Sequence, residues 1–256
     1  MNKNLKLYFQ LLEVFTIREI KSRYRASILG PLWIILQPLL TTIFLAFIFE
    51  KIIKIKVANI PYFLFLYSGL IIWGFFEQGI NLAKDSLVWN RELIVKSKFS
   101  KNALPLSFVL SKIPDYFVNL IIFILLMLFF KQKVSFIFIF SSLTIFPLFL
   151  FSSGIGLIFS ILNAIFRDFG RIIDFLLLIG FYATPVIYLP SMVSNKLLFF
   201  LKLNPLFYLI SYNRSIFFEN KLEFNYLILG LLTSLILFLI GIIFFKKLEK
   251  IVVDLI

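Results

Sequence analysis

The chain has no cysteine and no histidine. That excludes disulfides, thiolate chemistry and the commonest transition-metal sites. It also removes the usual general base near neutral pH. Acidic residues are scarce: 13 Asp and Glu stand against 26 Lys and Arg in 256 residues, a formal charge of +13. No Gly-(x)4-Gly-Lys-Ser/Thr loop occurs, because Gly30, Gly69, Gly154 and Gly170 all lack the Lys-Ser/Thr completion. ATP is therefore not bound by that device. No serine nucleophile elbow, HExxH pair or carboxylate dyad is present either. Neither catalytic residues nor a metal site is expected. A cleavable signal peptide is not expected, because the first 26 residues are too charged and carry no apolar core.

What the chain has is apolar mass. Hydrophobic residues make up 61% and aromatics 19%, with a mean hydropathy of +1.00. Soluble domains are about 45–50% apolar, so this is a polytopic membrane protein. Its positive charge sits in short loops beside apolar runs, which makes it a topology signal rather than a nucleic-acid footprint. A crossing helix needs roughly 20 apolar residues. The spans expected on that basis are 29–49, 60–83, 108–130, 134–163, 172–190 and 224–245, in one all-α membrane domain over 1–256. Pro147, Gly154 and Gly156 predict a kink or tilt in the fourth span. Pro185 and Pro190 fall in the fifth. Most Lys and Arg lie in the loops that put both termini in the cytoplasm. Lys51, Lys54 and Lys56 in the first outer loop weaken that bias.

Three non-spanning parts stand out. Leu5, Tyr8, Phe9, Leu12 and Phe15 share a helical face, opposite Lys6, Gln10 and Glu13, although Leu7, Val14 and Ile17 blur the pattern. This predicts an interfacial helix within 5–26; a plain charged lead-in is the alternative. The segment 84–104 interleaves Arg91, Glu92, Lys96, Lys98 and Lys101 with Leu93, Ile94, Val95 and Phe99. It reads as a short helix docking on a cytoplasmic partner, or lying on anionic headgroups. The outer segment 191–222 holds two apolar stretches too short to span, divided by Lys202 and Asn204-Pro205. They pack on the surface or re-enter the membrane as a gate.

Few charges fall inside spans. Glu77 shares a face with Asn81 and Lys84. An intramembrane carboxylate is a functional candidate, although near a span end it can also snorkel or cap a contact. Lys112 and Asp115, three apart, predict a local ion pair. The charged turn that opens at Arg167-Asp168 and ends at Arg171 and Asp174 either caps itself or meets a cytoplasmic motor.

The segment 18–40 reads REIKSRYRASILGPLWIILQPLL. Four cations (Arg18, Lys21, Arg23, Arg25) meet an uncharged run, with Gly30-Pro31 at the entry, Trp33 just inside and Gln37-Pro38 within it. This is a membrane-entry signature. Its residue order resembles the first block of type-2 ABC exporter permeases for cell-surface polysaccharides: O-antigen, capsule or teichoic acid precursors. Arg167-Asp168, the run Ala183-Thr184-Pro185-Val186-Ile187-Tyr188, Asn204-Pro205-Leu206 and Arg214 match the same family in the same order.

The resemblance implies six spans, an N-terminal amphipathic helix and short re-entrant outer helices before the last span. It implies a half-transporter: a second copy completes the pathway, and a separate ATP-binding cassette subunit binds ATP and Mg. Coupling to that ATPase falls on Arg91, Glu92, Lys96, Arg167, Asp168 and Arg171. The cargo is a lipid-linked glycan or polyol-phosphate chain, moved across the bacterial cytoplasmic (inner) membrane. Arg18, Lys21, Arg23 and Arg25 are candidates for the lipid diphosphate. Trp33, Glu77, Pro185, Tyr188, Asn204, Pro205 and Arg214 are candidates for pathway or gate. A permease for drugs or small lipids, a membrane-embedded transferase acting on lipid-linked sugars and a membrane scaffold are the other readings.

Overall fold

The structure is a computed structural model that describes residues 3–25, 30–55, 57, 60–97, 99–166 and 168–255. The described residues are mostly helical, with no strand among them. In chain order the helices are α1 Lys3–Arg25, α2 Gly30–Ala46, α3 Tyr62–Trp89, α4 Arg91–Lys96, α5 Ala103–Leu110 and α6 Ile113–Phe129. They continue as α7 Ile145–Ile165, α8 Phe169–Tyr182, α9 Asn195–Leu201, α10 Pro205–Glu219 and α11 Phe224–Leu255. A π-helical stretch, Phe47–Ile52, prolongs α2, and a 3-10 stretch, Phe136–Thr144, leads into α7.

Five helical segments among the described residues are long and apolar enough to cross a membrane: Gly30–Ile52, Tyr62–Trp89, Ala103–Phe129, Phe136–Ile165 and Phe224–Val252. The remaining expected span begins with α8, whose 14 residues reach only about 21 Å. Pro185 accounts for the stop. It has no N–H to offer the Phe181 carbonyl, and it disfavours helical geometry at Thr184. The segment 84–104 opens as helix, because α3 runs on to Trp89 before α4 begins.

The middle of the bundle is α3, most of whose residues are buried. α7 packs against both α3 and α11. The α7–α11 contact is a backbone approach: a Cβ on Gly154 would lie 2.7 Å from the Leu237 carbonyl oxygen. Small residues at such crossings let helices meet closely in a bilayer.

Two apolar cores share the work. The larger joins α3, α6, α7, α8 and α10. The smaller gathers Phe15, Leu87, Ile94, Leu104, Leu157 and Phe245. It ties α1, α4 and α5 to the ends of α3, α7 and α11, so α1 and the last turns of α11 lie at one end of the bundle, the terminal end. The structure also explains the blurred pattern in α1. Tyr8, Leu11, Leu12 and Phe15 face this core, while Leu5, Leu7, Phe9, Val14 and Ile17 are exposed on another side. The helix is apolar in two directions, one toward protein and one outward.

Candidate functional site

Two breaks in helices organise the polar groups. The first is at Ser111-Lys112, between α5 and α6. Pro114, in the first turn of α6, cannot donate to the Leu110 carbonyl. Arg23 reaches the neighbouring acceptor at the break: its Nη2 donates to the Ser111 carbonyl at 2.7 Å and its Nη1 to Asp115 Oδ2 at 3.1 Å. Lys112 Nζ donates to the same carboxylate at 2.6 Å. Glu19 Oε1 lies 3.7 Å from Arg23. Burial raises the Glu19 carboxyl above its ordinary range, opposed by Arg23, Arg18 and Lys112. The Lys112–Asp115 ion pair is present, but as part of a buried network of two cations and two carboxylates.

Trp33, Gln37 and Gln78 join Arg23, Lys112 and Asp115 around a cavity of about 250 Å³. The structure thus brings a lipid-diphosphate candidate, Arg23, together with a pathway candidate, Trp33. The other entry cations are dispersed. Arg18 donates to Asn90 Oδ1 and lies over the Phe15 ring. Lys21 is exposed. The Arg25 side chain lies outside the described residues.

Around the other coupling candidates, α4 presents Arg91, Glu92 and Lys96 outward, with Lys96 Nζ 3.1 Å from Glu92 Oε2. Its base is fixed by Lys101, which donates to the carbonyls of Ile94 at 3.0 Å and Ser97 at 2.6 Å. Burial lowers the Lys101 ammonium, opposed by Glu249. Asp168 and Arg171 are exposed at the start of α8. Arg167 lies outside the described residues.

Glu77 accepts a hydrogen bond from Trp73 Nε1 at 2.8 Å. One and two turns on, Asn81 Oδ1 is buried without a partner and Lys84 pairs with Asp174 of α8. Asn163 of α7 donates to Asp85 Oδ1 at 2.9 Å and to the Lys84 carbonyl at 3.1 Å. Sequence reading did not single out Asn163 or Asn90, and it met Glu19 and Asp174 only as members of the entry block and of the charged inner turn. The one local signal they carry is a polar residue near the end of an apolar run.

The second break follows α8, at the end of the bundle away from the termini. Arg214 of α10 reaches into it. Its Nη1 donates to the Pro185 carbonyl and its Nη2 to the Val186 carbonyl, each at 2.7 Å. Further bonds run to the Phe65 carbonyl at 3.3 Å and Ser68 Oγ at 3.4 Å. The guanidinium carbon lies 3.6 Å from the centre of the Phe65 ring. Tyr62 donates to the Ile187 carbonyl at 2.7 Å.

Asn204 caps α10 by accepting from Leu206 N at 3.0 Å, and donates to Thr184 Oγ1 at 2.9 Å. Pro205 takes the first helical position, where its missing N–H costs nothing. Tyr188 donates to the Tyr182 carbonyl at 3.2 Å. Pro185, Tyr188, Asn204, Pro205 and Arg214 therefore form one cluster at the far end. Trp33 sits with the other break, and Glu77 lies along α3 apart from both.

Known proteins of similar sequence bear on this arrangement. The family described as ABC-2 type transporter matches residues 10–218. The O-antigen export system permease protein RfbA of Klebsiella pneumoniae is 30% identical over 250 residues, covering 97% of this chain and 96% of that relative. The protein of the same name in Myxococcus xanthus is 28% identical over 222 residues, covering 86% of this chain and 85% of its own. The polysialic acid transport protein KpsM of Escherichia coli is 24% identical over 247 residues, covering 93% of each chain.

Proposed function

This chain belongs to the ABC-2 type transporter family, and from that membership we propose that it is the permease subunit of an ATP-driven exporter of lipid-linked polysaccharide. The observation that carries the reading is similarity along nearly the whole length to permeases named for O-antigen export, with a polysialic acid transport protein beside them. Those names favour a glycan over a drug or small lipid as cargo, and transport over a transferase. A second copy of the chain completes the pathway. A separate ATP-binding cassette subunit binds ATP and Mg and drives it.

In this reading the terminal end of the bundle faces the cytoplasm, as the Lys and Arg bias expects. The membrane is the bacterial inner membrane. α8 and the turn after it make the sixth crossing, and α9 and α10 re-enter from the outer side as a gate. The exposed α4 residues Arg91, Glu92 and Lys96 and the start of α8 receive the ATPase motion. Rigid support for α4 from Lys101 suits that task, because force is transmitted poorly through a loose loop. Arg18, Lys21 and the Arg23 cavity lie where a lipid diphosphate would approach. Arg23 offers less charge there than the sequence implies, because Asp115 and Glu19 already face it.

The test is affinity purification from native membranes in mild detergent, with mass spectrometry of what accompanies the chain. An ATP-binding cassette subunit in about equal amount is expected, reduced by charge reversal at Arg91, Glu92 or Asp168. Recovery of the chain without any ATPase, where a known transporter stays intact, overturns the proposal.

A further inference from the structure

At the far end of the bundle, a cavity of about 950 Å³ opens between the α6–α7 connection, α3 and the end of α10. Phe65, Phe138, Phe217 and Phe218 form apolar walls, and Gln132, Ser135 and Asn220 supply neutral hydrogen-bonding groups. Three cations line it, Lys131, Lys133 and Arg214, against one carboxylate, Glu219. Among the described residues, no carboxylate lies within ion-pair distance of any of the three cations.

Arg214 is the unusual member. Its four bonds go to neutral oxygens. A guanidinium carries five N–H donors, so one remains, on Nη1. Carbonyl dipoles solvate a cation without neutralising it, and away from bulk water its field persists. Lys131 adds to that field from a left-handed position, φ 56°, at the end of α6.

We propose that this cavity is a binding site for an anionic group, phosphate or carboxylate, carried on a sugar or polyol. The cations take the charge, and the phenylalanine faces and neutral side chains take the ring or polyol carbons and hydroxyls. The inference rests on the exporter reading for one of its two sources, an acidic segment of the glycan emerging at the outer face. The other source with the same chemistry is a glycerophosphate headgroup of the outer leaflet.

The experiment is equilibrium binding to the full chain in nanodiscs of zwitterionic lipid, with no ATPase required. Its failure is therefore separable from failure of the exporter reading. The probes are a hexose 1-phosphate and the neutral hexose. The phosphate should bind at least tenfold more tightly. The double variant Lys131→Gln/Lys133→Gln should lose about tenfold of that affinity, with a weaker salt dependence. These rim residues are chosen because Arg214→Gln also opens the α8 break. Competition by phosphatidylglycerol added to the nanodisc supports the site and assigns its occupant to the leaflet. Binding undisturbed by that lipid supports it and assigns the occupant to the glycan. Equal binding of hexose and hexose phosphate, or a double variant that binds like the parent, overturns the proposal.

Discussion

At the scale of single residues, the two arginines have parallel tasks. Each ends up where a proline has broken a helix, and each donates to carbonyls beside the break: Ser111 for Arg23, Pro185 and Val186 for Arg214. A buried backbone acceptor left without a partner costs about 1–3 kcal/mol. Arg214→Gln orphans two, so the purified protein should melt below the parent by a clear margin. Arg214→Lys should fall between them, because an ammonium keeps the charge but loses the planar fork. A Gln variant with the parent's melting curve would remove the clasp role. Both arginines were visible in the sequence as charges, and so were the prolines. Their pairing was not, because Arg214 contacts carbonyls 28 to 149 positions earlier in the chain. Asn163 and Asp174 carried even less signal, since one amide or carboxylate near a span end is ordinary.

At the scale of elements, hydropathy placed the long helices well, because a lipid-crossing segment must be apolar along its own length. It served less well where a helix is short or two-sided. α8 stops at Tyr182, at a backbone limit that hydropathy does not register. α1 carries apolar residues toward both protein and exterior, so its one-face pattern looked imperfect. The contact of α7 with α11 depends on small residues rather than on hydrophobicity. A Val side chain at Gly154 would begin 2.7 Å from the Leu237 carbonyl oxygen, so the helices must separate. Gly154→Val should destabilise by about 1–3 kcal/mol, as overpacking does, and Gly154→Ala by less. Membrane yield and the monodisperse fraction on size exclusion measure this. Unchanged yield for Val would mean that α11 shifts freely on α7.

At the scale of the whole molecule, α2 and α8 present bands of large apolar residues outward. Leu40, Ile43 and Phe44 are exposed on α2, and Phe175, Leu178 and Ile179 on α8. Lipid covers such faces as readily as protein, so the fold of one chain does not choose between them. The proposed half-transporter does, and light scattering of the complex should give a permease mass of twice the 30.0 kDa of one chain. A single permease chain per particle that still transports would exclude the paired pathway. The sequence by itself determined the solvent of this protein, its helical class and the approximate place of its long helices. Those properties follow from composition and hydropathy, which are local along the chain and which a bilayer selects segment by segment. The family resemblance was equally present in the sequence, in short ordered blocks. Only the tertiary structure decided which charges are neutralised and which stay open. Arg23 meets Asp115 from 92 positions away, Arg214 bonds neutral carbonyl and hydroxyl oxygens, and Lys131 and Lys133 share a cavity with it. Electrostatics acts through space, and the distances that govern it are fixed only when the helices pack.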